Sequence, residues 1–428
     1  MSPIPQPEVH VEGQQSSEGT PEGVEPVRLR SAAAALTSLM ALAATSLVAG
    51  PAVAKTAGGP CALPRTAAHH SLGVDTWNGD YPRPVRHMDA VMIFLSFPDS
   101  APLATPDEMA ADHFPATSTF FARASYGKFV LRPHPQRKWV AMPKASTAYG
   151  TKRDWEPGQR ATYLRDAITA ADPTVDFSRY DIVYLVADPD APGVDSDATK
   201  VVNVDEPLDA DGTDIERVVT VFERHPPDRN VLAHETGHVF DLPDLYHRPT
   251  DDKGDWDTYV GDWDVMGSQF GLAPDLFGWH KWKLGWLDRR AVRCVTNAEW
   301  FTLEPVAAAP TPGGSLGTRL AVVRTGADTA LAIEARSSTG NDVSTCREGV
   351  LLYRVRAEAD SGGGPAEVVD THPGSAACWD TSVYPQLADA PLGVGETFTT
   401  PGKPGERTRV EVADRTRSGA WTVRITTA

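Results

Sequence analysis

The chain has 428 residues, 41% of them apolar, with 40 basic against 57 acidic side chains and a net charge of −17. That length allows two or three domains, each with its own buried core. The acidic balance argues against nucleic acid and against an anionic lipid surface as partners, because both need basic patches.

In chain order, a polar lead precedes Arg28 and Arg30, and an Ala/Leu-rich apolar run follows over 31–50. Ala52-Val53-Ala54 is a small-x-small site of the kind signal peptidase accepts. Residues 1–54 are therefore read as an export signal with a polar lead, and the product as secreted, monomeric and free of the membrane after cleavage. Residues 55–87, aperiodic and Gly/Pro-containing, read as a lead-in or short pro-segment. Ala90 to Phe97 and Tyr180 to Ala187 are continuous apolar runs with β-branched and aromatic members, which predict buried strands. Short elements are expected at Thr117–Ala124 (helix) and Lys128–Arg132 (strand). Helical spacing marks Gly158–Ala171. Val218–Phe222 predicts a strand at the sheet edge over a cleft, and Asp228 predicts the N-cap of a helix through His234 and His238. Beyond about residue 291 the texture changes to short β-rich runs, Arg319–Arg324, Ala330–Glu334, Gly349–Val355 and Trp421–Ile425, separated by Gly/Pro/Thr-rich turns. The expected fold is α+β: a part with a mixed sheet and the helix through His234 and His238 over 88–290, then an all-β sandwich or jelly roll over 291–428.

Four cysteines in an exported chain predict two disulfides. Cys346 and Cys378 share one apparent domain and are expected to pair, leaving Cys61 with Cys294. A competing use of Cys61 is as a thiolate that blocks the metal in a latent form.

The segment His234-Glu235-Thr236-Gly237-His238 carries the chemistry. Histidines at i and i+4 project from one face of a helix and can share a cation, and the glutamate after the first lies where a general base is needed. Zinc hydrolases add a third protein ligand and leave a position for water. Pro243 breaks the helix and can turn the chain back, and no Glu occurs between His238 and Glu299. Asp244 is therefore the expected third ligand, with Asp257, Asp262 and Asp264 as fallbacks. The pattern predicts Zn2+ on His234, His238 and Asp244, with Glu235 catalytic.

These residues, followed by Leu242-Pro243-Asp244-Leu245-Tyr246, resemble the active-site signature of the immune inhibitor A family of secreted bacterial metalloproteases, which are similar to metzincins. Asp264-Val265-Met266-Gly267 resembles the family's methionine turn, which implies that Met266 forms an apolar floor beneath the zinc. Lys281 to Trp286 resembles its closing helix, and Phe94–Asp99 with Ser125–Lys128 resembles its early strand and turn. The likeness covers about residues 88–290. It departs at Asp241, where the family usually places Gly three residues after the second histidine.

The resemblance and the motif together imply a zinc-dependent endopeptidase acting on protein or peptide substrates, with Glu235 as general base for water. Tyr246 and Tyr259 are candidates for stabilising the oxyanion. The alternative is an inactive metalloprotease-like binding protein acting through its β-domain, which would have no need of Glu235. Two acidic stretches, Asp188/Asp190/Asp195/Asp197 and Asp205/Asp209/Asp211/Asp214, offer oxygen ligands for structural Ca2+. Neither matches an EF-hand loop, and solvated loop is the plainer expectation.

Overall fold

A computed structural model describes residues 61–65, 74–75, 77–249, 254–309, 317–403 and 406–427. The expected export segment 1–54 and its expected cleavage site lie outside them. From Cys61 onward the described residues belong to one compact unit of mixed α and β structure.

The first sheet takes strands β1 (His87–Ser96), β2 (Val130–Ala141), β3 (Ile182–Ala187), β4 (Lys200–Ala210) and β5 (Thr213–Val221) in the order β2-β1-β3-β5-β4. All neighbours are parallel except β4, which runs antiparallel to β5. The continuous apolar runs become strands buried on both faces. Met88, Ala90, Met92 and Phe94 of β1 enter one core, while Val91, Ile93 and Leu95 enter the other.

Against the second face lies α3 (Pro157–Ala171), which contributes Tyr163, Leu164, Ala167 and Ile168. Pro157 starts it, and the Glu156 side chain accepts from the Gln159 N–H. On the first face sit α1 (Pro106–His113), α2 (Ala116–Ala124) and α4 (Val231–Val239). A capping box between Thr105 and Glu108 satisfies orphan donors at the start of α1.

Three sequence expectations are corrected. The sheet edge is β4, not the strand containing Val218, which is β5 and lies one place inside. Helix α4 is capped by Asn230, in a left-handed conformation with φ of 62°, and not by Asp228. Finally, 205–214 is not a solvated loop, because β4, β5 and their connecting turn occupy it.

After α5 (Gly278–Lys283) the chain builds two further sheets. One is five-stranded, with β6 (Val292–Cys294), β8 (Leu320–Arg324), β9 (Thr329–Arg336), β10 (Gly349–Arg356) and β11 (Ala366–Val368). The other joins β7 (Glu299–Leu303), β12 (Thr397–Thr399), β13 (Thr408–Arg415) and β14 (Trp421–Thr427). Their facing sides enclose a core that includes Leu331, Ile333, Leu352, Val410 and Val423. The opposite side of the five-stranded sheet contributes Leu320, Ala332, Leu351 and Tyr353 to the core that also contains α4. Both expected disulfides are present, Cys61–Cys294 and Cys346–Cys378. Cys61 is therefore not a free thiolate facing a metal. Among the described residues no helix is long and apolar enough to cross a membrane.

Candidate metal centre

All nine residues of α4 are buried. Gly237 makes this possible: a Cβ there would lie 2.4 Å from the Met266 sulfur. The helix ends in a complete Schellman motif. The Leu242 N–H donates to the Gly237 carbonyl and the Asp241 N–H to the His238 carbonyl, each at 3.2 Å. Asp241 takes the left-handed position, with φ of 63°, that glycine usually fills. Its carboxylate makes a buried ion pair with Lys283 of α5 at 2.9 Å, and Lys283 also donates to the Asp241 carbonyl at 2.7 Å. The departure from the family signature thus keeps the turn, and Pro243 and Asp244 come back beside the helix.

The result is a convergence of three side chains. The Nε2 atoms of His234 and His238 lie 3.3 and 3.1 Å from Asp244 Oδ1. Ligand atoms of the three residues all fall within 4.8 Å of one another, and among the described residues no other group of His, Cys, Asp or Glu does so. The two imidazoles stand perpendicular, with ring centroids 4.9 Å apart.

Each ring is oriented by its other nitrogen. His234 Nδ1 donates to the Val265 carbonyl at 2.8 Å, and His238 Nδ1 to the Leu242 carbonyl at 2.7 Å. Because a carbonyl only accepts, the proton of a neutral ring sits on Nδ1, which leaves Nε2 with its lone pair towards Asp244. Asp244 Oδ1 and Glu235 Oε2 are buried without a hydrogen-bond partner. Two imidazole lone pairs and an orphaned carboxylate oxygen around one point fit a divalent cation with nitrogen and oxygen ligands.

The electrostatics point the same way. Burial opposes a charge on either imidazole, yet the Asp244 carboxylate raises both, His238 to about 9. Burial would also raise Asp244, but the facing imidazoles hold it well below the usual carboxylate range. The pocket calls for a positive charge, which either protons or a metal ion can supply.

Around this centre, Met266 is fully buried, and its carbonyl accepts from the Leu245 N–H at 2.8 Å. The ring of Tyr246 lies nearly parallel to His234, 6.3 Å away, and packs on Trp256. Burial, then the Asp244 and Glu235 carboxylates, raise its phenol far above the ordinary value. Tyr259 instead packs against His247 at 4.9 Å.

The fallback aspartates hold the intervening loop. Asp264 accepts from the Met266 and Phe277 N–H groups at 2.8 and 2.7 Å, and Asp262 from the Leu272 N–H at 2.9 Å and the Ser382 hydroxyl. Asp257 is raised to about 6 by burial and by Asp255 and Asp262. Of the proposed calcium ligands, Asp188 accepts from Ser100 Oγ at 2.7 Å, Asp190 from the Leu103 N–H at 3.0 Å, and Asp197 pairs with Arg153 at 2.9 Å.

Two further residues near the centre are not singled out by the sequence. Glu223, just past β5, is raised to about 7 by burial and by the charges of Asp228 and Glu235. Ser361 donates to Asp244 Oδ2 at 3.0 Å from 117 residues away. The run Ser361-Gly362-Gly363-Gly364 was the available hint, since glycines cluster where backbone approaches closely.

No protein-family profile and no curated protein matches the chain. Among solved structures, wild type OgpA from Akkermansia muciniphila is similar at a TM-score of 0.27 and 10% identity, over 84% of this chain and 97% of that one. A likeness that low carries neither fold nor function.

Proposed function

We propose that the chain is a secreted zinc-dependent endopeptidase with an immune inhibitor A-like, metzincin-like catalytic part. One observation carries this: His234 Nε2, His238 Nε2 and Asp244 Oδ1 converge, with both Nδ1 atoms tied to carbonyls. His234, His238 and Asp244 would hold the ion. When bound, zinc supplies a Lewis acid that acidifies water and polarises a scissile carbonyl.

Glu235 follows His234 on the same helix, and its Oε2 is buried and unpartnered, so its carboxylate is free to take a proton. It removes a proton from the attacking water as the oxygen bonds to the carbonyl carbon. It then passes that proton to the leaving amine as the C–N bond breaks. Tyr246, kept protonated beside His234, offers an O–H to the developing oxyanion. The two disulfides support an exported protein, since such bonds persist outside the cytosol.

The test is casein cleavage by the purified chain, with and without a zinc-selective chelator. The chelator should abolish cleavage and added zinc restore it. Glu235→Ala should retain zinc and lose about 10²–10⁴-fold in rate. Undiminished cleavage in chelator, or wild-type cleavage by the variant, would overturn the assignment.

A further inference from the structure

We infer that Ser361, on the connection between β10 and β11, is the positioning residue for Asp244, so that the C-terminal β region completes the metal centre. This rests on the zinc assignment above and extends it to a residue beyond the His-Glu-His segment.

The contact runs both ways. Ser361 Oγ donates to Asp244 Oδ2 at 3.0 Å and accepts from the Asp244 backbone N–H at 2.9 Å. A carboxylate has two equivalent oxygens and rotates about Cβ–Cγ. With Oδ2 engaged by Ser361, Oδ1 is the oxygen presented to His234 and His238.

The backbone fixes the same register. The Gly362 N–H donates to the Asp244 carbonyl at 3.0 Å, and the Arg248 N–H to the Gly362 carbonyl at 3.0 Å. His247 and Gly363 form an isolated antiparallel bridge. Gly362 has φ of 74°, and a Cβ on it would meet Arg248 Cβ at 3.2 Å, so this approach needs glycine. The segment from Asp241 to Arg248 is thus pinned at its start by Lys283 and further along by the Ser361 loop.

Groups that hydrogen-bond a metal ligand set its orientation, and their loss typically weakens metal binding 10–100-fold. The experiment measures Zn2+ affinity of the whole secreted chain by competition with a chromophoric chelator, and thermal melting of the zinc-free protein. Ser361→Ala should bind zinc about 10–100-fold more weakly, while the zinc-free melting temperature stays close to that of the unaltered chain. Ser361→Thr, which keeps the hydroxyl, should restore the affinity. If Ser361→Ala binds zinc as tightly as the unaltered chain, or Ser361→Thr is as weak as the alanine variant, the hydroxyl does not position Asp244 and the inference fails alone. If the unaltered chain binds no zinc, the zinc assignment fails and takes this inference with it.

Discussion

At Gly237 the effect of one added methyl group follows from its surroundings. A Cβ there would lie 2.4 Å from the Met266 sulfur and 3.2 Å from its terminal methyl, and Met266 is fully buried. Overpacking costs about 1–3 kcal/mol, while alanine in a helix gains about 1 kcal/mol over glycine. Gly237→Ala should therefore lower stability by no more than about 2 kcal/mol in denaturant titrations. Its larger effect should fall on the metal centre, because Met266 adjoins Val265, whose carbonyl orients His234. Zinc affinity should drop about tenfold or more, and an unchanged affinity would show that the turn carrying Val265 and Met266 does not support the imidazole. His234, Glu235 and His238 could be picked out in sequence because their relation is local: four residues on a helix fix a common face. Asp244 could be picked out because Pro243 forces a turn. Ser361 could not, since its contact depends on how a distant connection packs.

Helix α4 shows what an element's ends contribute. A left-handed aspartate costs roughly 1–2 kcal/mol against glycine, so Asp241→Gly improves the backbone. The same change removes the carboxylate paired with buried Lys283, and breaking a buried pair costs about 3–5 kcal/mol. The second effect is larger, so Asp241→Gly should destabilise the chain by roughly 2 kcal/mol in urea unfolding, although glycine suits the left-handed position better. A stabilised variant would mean that the ion pair contributes nothing. Elements with strong internal pattern, β1, β3 and α3, were legible because burial on defined faces repeats along the chain. Strand β4 was not. Pro207, Asp205, Glu206 and Asp209 break any alternation, and its register shifts between Asn203 and Leu208. An edge strand tolerates proline and charge because one side of it needs no ladder partner.

Across the whole molecule, the change of texture near residue 291 marks a change of secondary structure but not a break in the core, since Leu351 and Tyr353 pack in the same cluster as Leu232 and Met266. Composition reports the first and not the second, because packing across the junction depends on which sheet face turns inward. The junction also carries a buried polar network. Arg336 donates to the carbonyls of Trp263 and Ala273 at 2.8 and 2.9 Å and pairs with Asp342 and Glu334 at 2.8 and 3.2 Å. Glu334 also accepts from the Gly278 N–H at 2.7 Å and the Tyr353 hydroxyl at 2.8 Å. These partners favour its charge, yet complete burial outweighs them and lifts the carboxyl from 4.5 to about 7. A raised folded-state value means that the folded chain keeps this proton after the unfolded chain has released it. The group's contribution to stability is therefore full below pH 4.5 and is lost as pH rises through about 7. Glu334→Gln cannot titrate, so subtracting its unfolding free energy from that of the unaltered chain cancels the ionisations that do not depend on the charge at Glu334. That difference should fall by up to about 3 kcal/mol between those two pH values, measured by urea unfolding of the zinc-free proteins at several pH values. A difference independent of pH across the window would show that Glu334 titrates at the same pH in the folded and unfolded chains, with its partners offsetting its burial in full.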